Sequence, residues 1–188
     1  MDFKERYGPW ALIAGASEGT GAAFAEQLAE RGINLILVAR RQAPLDALAQ
    51  RLGQVHGVEC VTASIDLAGA DAADRMAQAA GARAVGLLIL NAGADTNGAM
   101  FLDNDIENWI ALTNRNVMTT LRACYQFAGP MRARGRGGLI LVGSGACYLG
   151  LPGISVYGAT KAYDLVLGEA LWAELKPHGV DVLNLIMG

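Results

Sequence analysis

The chain lacks any apolar run near the roughly 20 residues that crossing a bilayer requires. Its longest, such as Leu35 to Ala39 and Leu87 to Leu90, fall far short. It has no excess of positive charge either: the net charge of −3 argues against nucleic acid, whose binding rests on many phosphate-neutralising Lys and Arg. Met1 to Pro9 holds Asp2, Lys4, Glu5 and Arg6 in place of the apolar core and small-residue cleavage site of a secretory signal. Cysteine is scarce. Cys60, Cys124 and Cys147 are odd in number and far apart, which suits reduced thiols in a cytoplasm better than a disulfide framework. His56 and His178 are the only histidines, and neither stands at metal-ligand spacing with a Cys or an acid, so no metal site is expected. Charged residues make up only 18% against 53% apolar, which excludes a disordered class. No linker, low-complexity tract or solenoid repeat interrupts the 188 residues. The expectation is a soluble, cytoplasmic protein with one core and no membrane partner.

What is present is alternation. Short all-apolar runs recur between helical patterns, the signature of parallel strands covered on both faces by crossover helices. Six strands are predicted, at about Trp10 to Ala14, Asn34 to Ala39, Glu59 to Ser64, Val85 to Asn91, Leu139 to Gly143 and Asp181 to Ile186. Leu45, Leu48, Leu52 and Val55 recur at helical spacing between Pro44 and Gly57. Phe24 and Leu28 share a face of an earlier helix that Gly32 can end in a left-handed cap. Asp105 to Arg134 is long enough for two helices, and Tyr157 to Lys176 is another that Pro177 stops. Such units in series predict an α/β, Rossmann-type doubly wound parallel sheet in three layers. Its ligand should lie outside the carboxyl ends of the strands, where strand order reverses.

Directly after the first strand, Gly15, Ser17, Glu18, Gly19, Thr20 and Gly21 lead into a helix. Glycines there permit a tight turn and close backbone approach to a pyrophosphate, which the helix N-terminus attracts. In a chain with 24 glycines, the spacing alone also describes an ordinary strand-to-helix turn. At the end of the second strand, where an Asp or Glu would bind the ribose 2′-OH of NAD, stand Ala39, Arg40 and Arg41. Two guanidiniums and no carboxylate predict NADP(H) over NAD(H); otherwise they are solvated arginines at a strand end. Tyr157 and Lys161 lie one helical turn apart on one face. A tyrosine ordinarily ionises near pH ~10, and a neighbouring cation favours the phenolate, so the pair can serve as acid or base. Taken alone, such a pair also occurs as a surface contact.

The set as a whole occurs in order: the glycine loop, Asn91-Ala92-Gly93 after the fourth strand, Trp109 and Asn116, Ser144, then Tyr157 and Lys161. It resembles the classical branch of the short-chain dehydrogenase/reductase (SDR) family, from Trp10 to Gly188. The resemblance implies an oxidoreductase that moves a hydride between a nicotinamide and a small-molecule carbonyl or alcohol. Tyr157 would be the proton donor or acceptor, Lys161 would tune it and hold the nicotinamide ribose, and Ser144 would orient the substrate oxygen. Asn116 would support a proton relay through water to Lys161. Asp66, followed by Leu67, would contact the adenine, and Asn91 would brace the sheet beside the cofactor. Read without the resemblance, Ser144 is a loop hydroxyl, Asp66 a helix cap and Asn116 a buried polar residue. Cys147 and Tyr148 either line the substrate pocket or belong to an ordinary loop.

Ala14 stands where the family often has Thr, Leu90 where it often has Asn, and Met187-Gly188 where Pro-Gly is frequent. Relatives continue into a substrate-covering loop and a last strand, so the 188 residues are read as one SDR domain without that portion. A catalytically silent NADP-binding relative is the alternative reading. The resemblance also implies a homodimer or homotetramer, paired through helices at about Asn114 to Arg134 and Tyr157 to Lys176. Val117, Leu121, Tyr125 and Trp172 would supply the apolar surface.

Overall fold

The apolar runs form the middle layer of the molecule. The structure, a computed structural model, describes residues 2–94 and 98–188. After a one-turn helix α1 (Phe3–Tyr7) come β1 (Trp10–Ala14), α2 (Gly19–Glu30), β2 (Asn34–Ala39), α3 (Gln42–His56) and β3 (Cys60–Ser64). α4 (Ala72–Ala80), β4 (Val85–Leu90), α5 (Ile106–Thr113), α6 (Thr119–Arg134), β5 (Gly137–Ser144), α7 (Ser155–Leu175) and β6 (Val180–Met187) follow. The strands pair in parallel in the order β3-β2-β1-β4-β5-β6. Order reverses between β1 and β4, which opens a crevice at their carboxyl ends.

Two cores lie on opposite faces of this sheet. On one, Ala25 and Leu28 of α2 and Leu45, Leu48 and Leu52 of α3 pack against Ala11, Ile13, Leu35 and Leu37. On the other, Met76 of α4, Phe127 and Met131 of α6 and Leu175 of α7 cover Leu12, Ile36, Leu88 and Leu141. Strands buried on both faces carry no alternation, and every residue of β1 and β4 is buried. Leu12 and Leu88 are fully buried, so truncating either to Ala would cost about 2–5 kcal/mol. No described helix is long and apolar enough to cross a membrane.

The structure corrects several boundaries. The third strand starts at Cys60 and the fourth ends at Leu90, while β5 and β6 run one or two residues further at each end than their apolar runs suggest. Val55 keeps the helical spacing but is 64% exposed in the last turn of α3. The stretch predicted as two helices is α5 and α6 joined through a π-helical turn, Asn114–Met118. Two elements went unread: α4, whose inward face of Ala72, Ala73, Met76 and Ala80 is mostly alanine, and α1, a single turn with no buried residue. Asp2 and Glu5 form a reciprocal cap on α1, and Arg6 and Tyr7 tie it to Asp181 on β6 at 2.7 and 2.6 Å.

His56 also differs from expectation. Across 30 residues of sequence its Nε2 comes within 2.8 Å of Glu26, and potential ligand atoms of Glu26, Glu30 and His56 gather within 4.8 Å of one another. Glu26 is already paired with Arg51.

Candidate active site

The crevice at the strand ends is a cleft of about 280 Å³. Ten of the residues expected to hold a nucleotide line it: Gly15, Ser17 and Glu18 after β1, Arg40 and Arg41 after β2, Asp66 and Leu67 after β3, and Asn91, Ala92 and Gly93 after β4. Gly19, Thr20 and Gly21, also expected there, form the first turn of α2 and are not among the residues that line the cleft. No side chain caps the N-terminus of α2, so its free N–H groups and partial positive charge face the cleft. Gly21 is required by packing, since a Cβ there would lie 1.9 Å from the Gly15 carbonyl oxygen. The Asn91 amide donates to that same oxygen at 2.9 Å, joining the loops after β1 and β4. These features suit a pyrophosphate laid against the loop.

At the rim, the Arg41 guanidinium pairs with Glu18 at 2.8 Å, both side chains being largely exposed. Among the described residues no carboxylate pairs with Arg40. Asp66, which lines the cleft, accepts from the Ala68 amide at 3.0 Å in a local turn bond.

The second half of the site is built on α7 and the end of β5. Ser144 ends β5 half-buried, and its Oγ accepts from the Ala146 amide at 3.3 Å. Tyr157 lies in the first turn of α7, with Lys161 one turn on. Lys161 is 4% exposed and donates to the Val142 carbonyl at 2.8 Å and to Asp164 at 3.1 Å. Burial raises the Asp164 carboxyl above the ordinary carboxylate range, and the Lys161 ammonium works against that rise.

Asn116 lies in the π-helical turn. Its amide donates to the Gly93 carbonyl at 3.2 Å and to Thr160 Oγ1 at 2.9 Å, while Thr160 donates to the Tyr157 carbonyl at 2.8 Å. One hydrogen-bond chain therefore links the loop after β4 to the helix that carries Tyr157. Gly93 has φ +148, and a Cβ there would lie 2.9 Å from Asn116 Oδ1 and 3.0 Å from Lys161 Nζ. Only glycine lets the two halves close on each other here. Asn116 Oδ1 is buried without a hydrogen-bond partner among the described residues, an acceptor available to a bound group.

Sequence reasoning missed three residues. Arg115 and Ala94 line the cleft, and Arg115 reaches the Ala94 carbonyl at 3.3 Å; no motif pointed to either. Asp164 was legible as the i+3 neighbour of Lys161. Cys147 is half-buried and Tyr148 is 67% exposed in the 3₁₀ turn beyond Ser144.

A family model described as short chain dehydrogenase matches residues 9–188. The chain belongs to this family. The 7beta-hydroxysteroid dehydrogenase of Collinsella aerofaciens is 34% identical over 188 residues, spanning all of this chain and 71% of that protein. A solved structure concerned with 7beta-hydroxysteroid dehydrogenase stereoselectivity superposes with a TM-score of 0.94 at 33% identity, over 99% of this chain and 71% of that one. A short-chain dehydrogenase from Sphingobium yanoikuyae, solved with NADPH, gives a TM-score of 0.89 at 36% identity, over 95% of this chain and 70% of that one. Short-chain dehydrogenases are oxidoreductases that bind a nicotinamide cofactor, and the uncapped α2 N-terminus, the glycine cradle and the free Asn116 acceptor fit such a group.

Proposed function

We propose that this short-chain dehydrogenase is an NADP(H)-dependent oxidoreductase acting on a carbonyl/alcohol pair, with Tyr157 as the proton donor or acceptor. The observation that carries the reading is the placement of Tyr157 and the buried Lys161 on α7, joined through Thr160 and Asn116 to the nucleotide cleft. A bound nicotinamide supplies or accepts the hydride. In reduction the Tyr157 hydroxyl gives its proton to the substrate oxygen, and in oxidation the phenolate takes one. The Ser144 hydroxyl donates to the same oxygen, stabilising charge that develops there. Lys161 favours the phenolate and holds ribose hydroxyls, and Asn116 supports the path by which the proton is replaced.

Arg40 and Arg41 support NADP(H), because guanidiniums at the end of β2 bind a 2′-phosphate and no acid occupies the ribose position. The NADPH complex of the Sphingobium yanoikuyae relative points the same way. Tyr148, Leu149 and Leu151 beyond Ser144 are exposed and apolar. They favour a carbonyl on a large apolar body, in keeping with the hydroxysteroid dehydrogenase relative. Tyr125 is 85% exposed, and Leu121, Val166 and Trp172 add exposed apolar surface on α6 and α7, which supports pairing of these helices in a homodimer or homotetramer. Three unpaired cysteines support a reducing, cytoplasmic setting.

The test is titration with NADPH and NADH followed by a screen of ketones on bulky apolar frames. Tighter NADPH binding with turnover of a ketone is expected. NADPH binding without turnover of any carbonyl would instead mark a silent nucleotide binder.

A further inference from the structure

Lys161 is buried, and an ammonium removed from water needs its donors satisfied and its charge balanced. Two partners meet that need from below the cleft, the Val142 carbonyl on β5 and the Asp164 carboxylate on α7. Asp164 is 4% exposed; its Oδ2 accepts from Lys161, and its other oxygen, Oδ1, is unpartnered among the described residues. Lys161 Nζ also lies beside Gly93 and Asn116, on the side of the loop after β4.

Other titratable groups around the pair do not carry charge near neutrality. Cys124 on α6 faces Asp164, and its thiol is pushed up to about 12 by burial and then by the Asp164 charge. Tyr163, next on α7, is raised chiefly by burial and further by Cys124 and Asp164. Asn116, a neutral group in the π-helical turn, lies beside Lys161 across Gly93 and donates to Thr160, also neutral. Among the described residues, Asp164 is the carboxylate that faces the ammonium.

We propose that Asp164 is a positioning residue for the Tyr157–Lys161 pair, fixing the Lys161 ammonium on the inner side of the cleft and compensating part of its charge. The Asp164 carboxylate opposes the field of the Lys161 ammonium, so removing its charge should make the Tyr157 phenolate easier to form. The role in turnover rests on the oxidoreductase reading above, whereas the charge relationship does not.

The test reads Tyr157 ionisation directly, as the ultraviolet phenolate titration that disappears in Tyr157→Phe. It is measured in the wild-type background and in Asp164→Asn, which keeps the shape and removes the charge. Asp164→Ser, smaller and also uncharged, is the second variant. The Tyr157 step is expected about one pH unit lower in each folded variant, the lower end of what one close charge does. Asp164→Glu, which restores a carboxylate, should return the step toward wild type. Where a ketone substrate is in hand, the acid limb of alcohol oxidation should move the same way while NADPH affinity changes less than about threefold. A Tyr157 step at the wild-type pH in folded Asp164→Asn or Asp164→Ser would overturn the proposal. Absence of turnover with the step still shifted would instead overturn the oxidoreductase reading alone.

Discussion

Arg41 and Glu18 face each other across the rim of the nucleotide cleft, with the guanidinium 2.8 Å from the carboxylate. Both are exposed, so the bridge contributes little to stability, but it occupies a guanidinium that a 2′-phosphate would use. Glu18→Gln should therefore tighten NADPH by up to about fivefold, the scale of one exposed charge pair, and leave NADH nearly unchanged. Arg40→Ala with Arg41→Ala should remove the preference for NADPH. Added salt should weaken NADPH more than NADH, because the extra contact is ionic. Fluorescence titrations with both nucleotides check all three.

At the opposite end of the sheet, Asp181 holds α1 through Arg6 and Tyr7. The Arg6 hydrogen bond, with Tyr7 adding to it, holds the Asp181 carboxyl below the ordinary range despite some burial. A depressed folded-state value means the stabilisation is present above the ordinary carboxylate pKa and is lost as pH falls through the depressed one. Asp181→Asn should lower stability near neutrality by up to about 1 kcal/mol, since both partners are partly exposed. It should also flatten the loss of stability on acidification. Denaturant melts across that range measure both effects, and equal slopes for the two proteins would contradict the assignment.

The exposed apolar surface of α6 and α7 predicts self-association. Tyr125→Glu with Trp172→Glu should give monomers at micromolar concentration in ultracentrifugation, where the wild-type chain is expected to give dimers or tetramers. A wild-type chain that sediments strictly as a monomer would contradict the paired-helix reading.

How much of this was legible in the sequence depended on the kind of signal. β1, β2 and β4 were found to within a residue because burial on both faces writes an unbroken apolar run. Helix α4 was not, because its inward face is mostly alanine. The glycine loop and the Tyr157–Lys161 spacing were readable because local geometry demands them. Whatever depends on contacts across the fold was hidden. Nothing near Glu26 in sequence announces His56, nothing near Arg115 announces its place in the cleft, and the π-helical turn at Asn116 has no composition of its own. Asp164 lay within reach of helical spacing, but only its burial shows that it is the partner of Lys161.

The most direct test of the account is Tyr157→Phe, assayed for both NADPH binding and carbonyl reduction. If the hydroxyl acts on the substrate oxygen in the transition state, as proposed, and not on the nucleotide, reduction should fall to background while NADPH affinity stays nearly unchanged. Two companion variants bracket it. Ser144→Ala should lower turnover by about 10²-fold or more, as loss of one oxyanion donor does, and Lys161→Met should damage binding and turnover together. A Tyr157→Phe protein that reduced its ketone at the wild-type rate would contradict the mechanism at its centre.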